Sequence, residues 1–368
     1  MKKIAWITAE SFLDVDLPII SKLKNSYEIF WQIIINNDSS KDYVNQLIPV
    51  FGENLTVKYI YERYRHRDPR LFFITYKILK TAKSYGPNLY YIDGFMLPWG
   101  PLMMRLFLPR KLVVVACHNV TTPKGGSLQV ISKIAMNFVL HKFNNIHVFS
   151  RGQKEKLEEV FPNKNVLLAP LALKDYGTPN VVAQRKEDGI VRFLYFGIIR
   201  EYKRVDLLID AACELYDRGY NNFKVIIAGS CDNWLTRYAP QIVYPEIFEI
   251  DIRRIPNDEV ADLFSQSDYF VMPYQDIAQS GAITVAFQYN VPTIVSNIPQ
   301  FYEFVDDGNT GLMFKSEDAT ALADKMQYVI DNHSRIHKAL KQNQADFVRH
   351  NLSIDSIVEK YISYFDRF

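Results

Sequence analysis

Short runs of β-branched and aromatic residues alternate along the chain with longer stretches whose apolar residues recur at helical spacing. Strands buried inside a parallel sheet form such runs, and helices then cover both faces of the sheet. The pattern therefore predicts a doubly wound α/β fold. The predicted strands of the first half span residues 4–8, 29–35, 55–60, 89–92, 111–117, 146–149 and 165–168.

A polar stretch at residues 174–190 interrupts this alternation, because it has no sustained apolar period and carries glycine and proline. The alternation restarts at residue 191, with strands at 191–196, 223–228, 269–272 and 293–296. We therefore expect two Rossmann-like domains joined by a linker. The expected parts are a first domain at 1–173, a linker at 174–190, a second domain at 191–350, and a last helix at 351–368 that crosses back to the first domain.

The composition is that of a globular protein, with 368 residues, 48% hydrophobic residues and 23% charged residues. Three widely spaced cysteines fit neither a disulfide framework nor a zinc motif, so a reducing cytoplasm is expected. Prolines and cations interrupt every apolar stretch before it reaches about 18 residues, so no membrane span is predicted.

Charge is distributed unevenly between the two halves of the chain. Residues 1–180 contain 24 Lys and Arg against 14 Asp and Glu, whereas the remaining residues contain 19 against 27. The basic half suits an anionic acceptor or surface, although the two halves could instead attract each other. Basic residues concentrate at 58–83, and apolar and aromatic residues follow at 95–108. Reversible binding to an anionic membrane is one expectation, and packing of 102–108 inside the domain is the alternative. No nucleic-acid-binding module is recognised, and no nucleic acid partner is expected.

A glycine and a basic loop follow the strand at 191–196. Gly197 would let a ligand approach the backbone at the carboxyl end of the strand, and Arg200 and Lys203 would supply charge for a diphosphate. A solvated basic turn is the alternative interpretation.

A second loop follows the strand at 269–272 and opens a helix near Ser280. Backbone N–H groups of Gly281, Ala282 and Ile283 would point out of this helix start and favour an anion. Alternatively, Ser280 is only an N-cap.

Polar residues also follow strands of the first half. The strand at 111–117 ends in His118 and Asn119, where a histidine is a catalytic candidate or a merely structural residue. No second histidine stands at metal-ligand spacing from His118, so no metal is expected there. Glu10, Asp14 and Asp16 follow the first strand, where they could bind sugar hydroxyls or begin the next helix.

These loops, taken together, resemble those of the retaining glycosyltransferases of family 4. Similar segments in this chain are Ala-Gly-Ser at 228–230, Ile-Pro-Asn-Asp-Glu at 255–259, Met-Pro-Tyr at 272–274, and residues 115–119, 146–153, 291–296 and 304–312. The resemblance covers most of the chain. It implies the GT-B architecture, in which two Rossmann-like domains face each other across a cleft.

The resemblance implies transfer of a sugar from a nucleotide-diphosphate donor to a glycan or lipid-linked acceptor, in surface polysaccharide or glycoconjugate synthesis. The enzyme would work in the cytoplasm, either free or bound to the inner membrane face, without a metal or other cofactor. His118 would be catalytic. The implied donor-binding residues are Gly197, Arg200, Lys203, Gly229, Ile255, Gln279, Ser280, Gly281, Ala282 and Ile283. The acceptor-side candidates are Glu10, Asp14, Asp16, Asp93 and Asn119.

The chain departs from the family pattern at four positions. Ile198 replaces the usual arginine after the loop glycine, Ile277 and Val285 replace two usual glutamates, and Asn290 replaces a glycine. A sugar-nucleotide epimerase of the same architecture is therefore an alternative, with Glu10, Asp14 and Asp93 as its candidate carboxylates. A catalytically inactive nucleotide-sugar-binding relative is another.

Overall fold

A computed structural model of the chain describes residues 1–35, 41, 44, 53–62, 68–94, 99–120, 129–180, 188–277 and 281–368. The chain divides into two compact units, one formed by residues 1–172 with 352–368 and the other by residues 173–351. Each unit contains one parallel β-sheet, so the predicted fold class is confirmed. Among the described residues, no helix has the length and apolar character needed to cross a bilayer.

The sheet of the first unit has seven strands in the order β3-β2-β1-β4-β5-β6-β7. Every pairing in it is parallel. The strands are β1 (Lys2–Ala9), β2 (Tyr27–Ile35), β3 (Leu55–Tyr61), β4 (Leu89–Asp93), β5 (Val113–Ala116), β6 (Asn145–Val148) and β7 (Asn165–Leu168).

The sheet of the second unit has six strands in the order β10-β9-β8-β11-β12-β13. The strands are β8 (Val191–Phe196), β9 (Phe223–Ala228), β10 (Phe248–Asp251), β11 (Tyr269–Met272), β12 (Thr293–Ser296) and β13 (Leu312–Phe314). The two edge strands, β10 and β13, were absent from the predicted set. The four residues of β10 include two carboxylates, and the apolar run of β13 has only three residues, which is too short to predict a strand.

Helices connect the strands of both sheets. Among the described residues before β8 they are α1 (Leu13–Leu23), α2 (Arg70–Ser84), α3 (Gly100–Phe107), α4 (Gln129–Lys142) and α5 (Arg151–Val160). Those that follow β8 are α6 (Val205–Asp217), α7 (Trp234–Arg237), α8 (Asn257–Ser265), α9 (Gly281–Gln288), α10 (Ala319–Asp331), α11 (His333–Asn351) and α12 (Ile354–Phe365).

Two apolar cores cover the opposite faces of the first sheet. Side chains alternate between the faces, so Trp6 and Trp31 enter one core while Ile7 and Ile34 enter the other. Helix α12 completes the first of these cores, because its apolar face is buried with Trp6. The last helix of the chain therefore belongs to the first unit.

The segment that the sequence suggested as a linker starts inside the second unit. The Tyr176 N–H donates a hydrogen bond to Tyr289 Oη (2.9 Å), and the Asn180 N–H donates to Asp262 Oδ1 (2.7 Å). Residues 174–180 are thus held to the second unit, and residues 181–187 lie outside the described residues.

Strand order reverses at one place in each sheet, between β1 and β4 in the first and between β8 and β11 in the second. Connections leave in opposite directions at such a point, which opens a crevice at the carboxyl ends of the strands where ligands bind. The predicted site residues follow these strands or their neighbours.

Candidate functional site

Two glycines approach each other closely at the carboxyl ends of β8 and β9. A Cβ on Gly229 would lie 2.1 Å from the carbonyl oxygen of Gly197, and both residues have positive φ, of 148° and 117°. A larger residue at position 229 would have to push the two backbones apart. The two glycines therefore leave the backbone bare, without side chains, at the ends of β8 and β9, beside the point where the strand order reverses.

Lys203 lies above this bare backbone. Its Nζ is 3.5 Å from the position that a Cβ on Gly197 would occupy and 5.4 Å from the centre of the Tyr274 ring. Burial, together with the nearby charge of Arg200, lowers the pKa of Lys203 to about 8. The ammonium is thus poorly solvated, and an incoming anion would restore the stabilisation that it has lost.

Arg200 is a weaker part of the same cationic region. Its guanidinium is more than half exposed and lies 3.6 Å from the carboxylate of the even more exposed Asp232. Such a pair contributes little to stability, so Arg200 is able to turn toward a ligand.

The loop after β11 lies against the basic loop, because the Gln275 N–H donates to the carbonyl of Tyr202 (2.8 Å). Helix α9 begins at Gly281 after this loop, as the sequence predicted. Gln279 and Ser280 lie outside the described residues. Ala282 is half-buried, whereas Ile283 is fully buried.

Sequence reasoning missed Lys174 at the start of α9. Its Nζ lies 3.3 Å from the position that a Cβ on Gly281 would occupy, so it brings a positive charge to a helix end that already favours anions. Lys174 comes more than 100 residues before Gly281, and no local spacing could have associated the two.

The remaining positions of the predicted donor site are apolar and buried. Ile255 is buried just before α8, and Ile277 and Val285 are buried at the positions where the resemblance would place glutamates. No carboxylate therefore stands at either of these two positions to bind a donor sugar.

His118 is held in a fixed orientation in the first unit. Its ring stacks between Phe12 (centroids 4.0 Å apart) and Phe149 (4.3 Å), and its Nε2 lies 2.8 Å from Oδ1 of the fully buried Asp93. A carboxylate can only accept, so Nε2 carries the hydrogen and donates it to Asp93. Position alone could have suggested this pair, because Asp93 ends β4 and His118 follows the neighbouring β5.

Asp16 lies behind Asp93 and is fully buried as well. Its Oδ2 accepts hydrogen bonds from Trp6 Nε1 (2.8 Å) and from the Thr8 hydroxyl (2.6 Å). Burial and the nearby charge of Asp93 raise the pKa of Asp16 well above its usual range. Burial thus favours the neutral form of Asp16 beside Asp93.

The structure corrects two of the acceptor-side expectations. Asp16 and Asp93 have no exposed surface and bond to other side chains, so neither offers a carboxylate to a sugar hydroxyl. Asp14 and Asp16 stand in the first turn of α1, which matches the alternative that these carboxylates begin a helix. Asp14 is exposed, and Glu10 and Asn119 are half-exposed.

An exposed apolar surface covers parts of α2 and α3, and we call it the aromatic patch. Phe73 and Leu106 are exposed to 69% and 66%. The patch residues are Phe72, Phe73, Tyr76, Trp99, Leu102, Leu106 and Phe107. Helix α2 also carries Arg70, Lys77, Lys80 and Lys83 and has no acidic residue. The expectation that 102–108 packs inside the domain holds only in part, because Met103, Met104 and Leu108 are buried.

A cavity of about 250 Å³ lies between α2 and the edge of the first sheet. Its lining includes the aliphatic side chains of Ile60 and Ile74, the amines of Lys58 and Lys77, and the buried amide of Gln32. The Gln32 amide has no hydrogen-bond partner. The cavity therefore offers polar groups and positive charge next to the aromatic patch.

Part of the second unit matches a known protein family. Residues 191–332 match the family model described as "Glycosyl transferases group 1". The match covers less than half of the chain. No curated protein sequence matches the chain.

Solved structures similar to this chain span its whole length. They include sucrose-phosphate synthase from Thermosynechococcus elongatus, with a TM-score of 0.73, 15% identity and coverage of 100% of this chain and 99% of that one. Anabaena HepE, solved with UDP and glucose, has a TM-score of 0.73 and 12% identity with full coverage of both chains. A mutant of S. aureus TarM, solved with fondaparinux, α-GlcNAc-glycerol and UDP, has a TM-score of 0.71 and 11% identity, again with full coverage. The likeness shows a shared fold, the GT-B architecture.

Proposed function

We propose that the protein is a glycosyltransferase that moves a sugar from a nucleotide-diphosphate donor to a glycan or lipid-linked acceptor. The position of Lys203 over the bare backbone of Gly197 carries this proposal, because it lies in the segment that matches the group 1 glycosyltransferase model. The presence of UDP in the HepE and TarM structures supports a nucleotide-sugar donor. From the resemblance to family 4, we also propose that the transfer retains the configuration of the sugar and serves surface polysaccharide or glycoconjugate synthesis.

The donor diphosphate would bind where β8, β9 and β11 end. Transfer needs a stabilised leaving group, and preorganised positive charge at the diphosphate supplies it. We assign this charge to Lys203, Arg200 and the start of α9 with Lys174, with no metal in that role. Gly229 and Ile255 would border the nucleoside.

The acceptor half of the reaction would use His118. Asp93 holds the ring by its Nε2, which leaves the other ring nitrogen, Nδ1, for a sugar hydroxyl. Glu10, Asp14 and Asn119 remain candidates for contacts with the acceptor. In a retaining transfer without a protein nucleophile, the leaving phosphate would take the proton of the acceptor hydroxyl. This route needs neither of the absent glutamates.

The aromatic patch suits a lipid-linked acceptor. Exposed aromatic and aliphatic side chains flanked by lysines favour shallow insertion into an anionic bilayer surface. We propose that the protein works in the cytoplasm and binds reversibly to the inner membrane face. Arg63, Arg65 and Arg67, which add to the basic segment, lie outside the described residues.

A mass-spectrometric screen for bound nucleotide sugars, followed by turnover of the retained donor with and without lipid-linked acceptors, tests the proposal. Formation of a glycosylated acceptor supports it, and an α product from an α-linked donor supports retention. Conversion of the donor without any acceptor would indicate the epimerase. Binding without conversion in either assay would indicate an inactive relative.

The His118→Ala variant tests the assignment of His118. We expect a turnover at least 10-fold lower with little change in the affinity for a nucleoside diphosphate, since the ring is assigned to the reacting hydroxyl. The Asp93→Asn variant should reproduce part of this loss, because it removes the anion that orients the ring. Full turnover in a folded His118→Ala protein would contradict the assignment.

A further inference from the structure

Three potential metal ligands meet in the second unit, at the opposite end of the sheet from the candidate donor site. Asp268 immediately precedes β11, and His333 and His337 stand one turn apart at the start of α11. One ligand atom from each residue lies within 4.8 Å of the others. The Nε2 atoms of His333 and His337 are 3.7 Å and 3.9 Å from the same oxygen, Oδ1 of Asp268.

We propose that Asp268, His333 and His337 form a binding site for a divalent transition metal ion, with Zn²⁺ as the best match. In a tetrahedral zinc site with bonds of about 2.0–2.2 Å, neighbouring ligand atoms lie roughly 3.4 Å apart. The two separations from Asp268 Oδ1 exceed this value by only a few tenths of an ångström. Small rotations of two histidine side chains on one helix face would close that difference.

The carboxylate is anchored so that one oxygen faces the histidines. Its Oδ2 accepts a hydrogen bond from the Arg192 N–H (2.8 Å), and the Asp268 N–H donates to the Arg192 carbonyl (2.9 Å). Both bonds join Asp268 to β8, the neighbour of β11 in the sheet. Oδ1 is thus held in place as a ligand by contacts that do not involve the metal.

Tyr269 supplies the outer contacts that a metal-binding histidine usually has. Its hydroxyl lies 3.4 Å from Nδ1 of His333, so Nε2 would bind the metal while Nδ1 faces a hydrogen-bond partner. The Tyr269 ring packs edge-on against both imidazoles, which stack on each other with centroids 4.7 Å apart. This packing restricts the ring orientations.

The types of ligand and the exposure of the site indicate which metal ion would bind. Two imidazoles and one carboxylate favour Zn²⁺, Co²⁺ or Ni²⁺ over Mg²⁺ and Ca²⁺, which prefer oxygen ligands. The side chains of His333 and His337 are 23% and 17% exposed, so water would reach the site and supply a fourth ligand. The metal would tie α11 to the sheet and stabilise the second unit.

Isothermal titration of the full chain, purified without a histidine tag, with ZnCl₂ tests the site. We expect one Zn²⁺ per chain, a higher melting temperature in its presence, and no heat with MgCl₂. The His333→Ala and His337→Ala variants should each weaken binding at least about 10-fold. His350→Ala, on the same helix, is the matched control and should bind as the wild type does.

Two results would overturn the proposal. One is the absence of saturable Zn²⁺ binding to the wild type, which would leave the histidines as ion-pair partners of Asp268. The other is unchanged binding to the folded double variant His333→Ala/His337→Ala, which would place the metal elsewhere. Co²⁺ spectra give an independent readout, because a tetrahedral site produces strong visible bands that the double variant should lose.

Discussion

Lys203 shows how its surroundings change the chemistry of one side chain. A lysine in a solvated turn would have its ordinary pKa, but burial against Tyr274 and the charge of Arg200 lower the pKa of Lys203 to about 8. The free protein keeps a poorly solvated cation that a diphosphate would stabilise.

Replacing Lys203 with alanine should weaken nucleoside diphosphate binding by about 1.5–3 kcal/mol, or roughly 10- to 150-fold, because it removes a charge-assisted contact. Titration calorimetry measures the change. Arg200→Ala should cost less, since that side chain is exposed, and Lys315→Ala is a surface control. Wild-type affinity in a folded Lys203→Ala protein would refute the assignment.

The lowered pKa of Lys203 predicts that nucleotide binding depends on pH. Its ammonium loses its proton as the pH rises through about 8, so the affinity of the wild type for a nucleoside diphosphate should fall there. A Lys203→Met variant has no such group, and its weaker affinity should lack this step. Calorimetry at a series of pH values compares the two proteins.

Replacing Asp16 with asparagine should destabilise the protein less than replacing it with alanine. Asp16→Asn keeps an oxygen for Trp6 and Thr8, so the free energy of unfolding at about pH 4 should change by about 1 kcal/mol or less. Asp16→Ala leaves both donors unsatisfied and should cost about 3 kcal/mol or more. Denaturant titration measures both values.

The pH dependence of stability gives a second test of Asp16. Its folded-state pKa is raised, so its favourable contribution is complete below the unfolded pKa near 4 and is lost as the pH rises toward the folded value. The stability of Asp16→Asn should therefore improve relative to the wild type as the pH rises above about 4. A constant difference would mean that Asp16 is ionised in the folded protein.

At the scale of elements, the carboxyl ends of β8 and β9 depend on a glycine pair. In Gly229→Ala, the new Cβ would meet the Gly197 carbonyl, so we expect a loss of about 3 kcal/mol in unfolding free energy and weak nucleotide binding. Gly219→Ala is the matched control, because Gly219 also has positive φ but no atom within 4 Å of its Cβ position. It should cost about 1–2 kcal/mol and leave nucleotide affinity unchanged.

Helices α2 and α3 together should decide membrane binding. Co-sedimentation should show binding to vesicles that contain anionic lipid, weakening as salt rises. Phe73→Ser with Leu106→Ser should reduce it, and so should replacement of Lys77, Lys80 and Lys83 by glutamine. Leu235→Ser removes an even more exposed leucine from the second unit and serves as the control. Equal binding to neutral and anionic vesicles, or none to either, would favour a soluble acceptor.

At the scale of the whole molecule, the last helix makes the first unit depend on both ends of the chain. Tyr361 and Phe365 of α12 are buried with Trp6, and the Tyr364 hydroxyl donates to the Asn165 carbonyl (2.8 Å). Deleting residues 352–368 should open this core and leave the second unit folded. Hydrogen exchange should show lost protection in β1, β2 and β4 but retained protection in β8, β9 and β11.

Elements with a long apolar run were predictable from the sequence. Strands β8, β9, β11 and β12 have the predicted bounds, because a buried parallel strand needs a predominantly apolar run between turn residues. Strand β10 was missed because two of its four residues are carboxylates, and β13 because it has only three residues. Gly197, Lys203 and His118 could be proposed from the sequence because each follows a strand end, where parallel sheets place their ligands.

What the sequence determined by itself is local: apolar periodicity set the strands and helices, and loop composition marked the places where charge and bare backbone follow a strand. Only the tertiary structure decided which distant residues meet. The fold buries Asp16 beside Asp93, where no acceptor can reach it, and it places Lys174 next to Gly281. It also places Asp268 close to two histidines that come about 65 residues later in the chain. The reason is physical: burial and partnership depend on how elements pack, and the order of residues within one element does not contain that information.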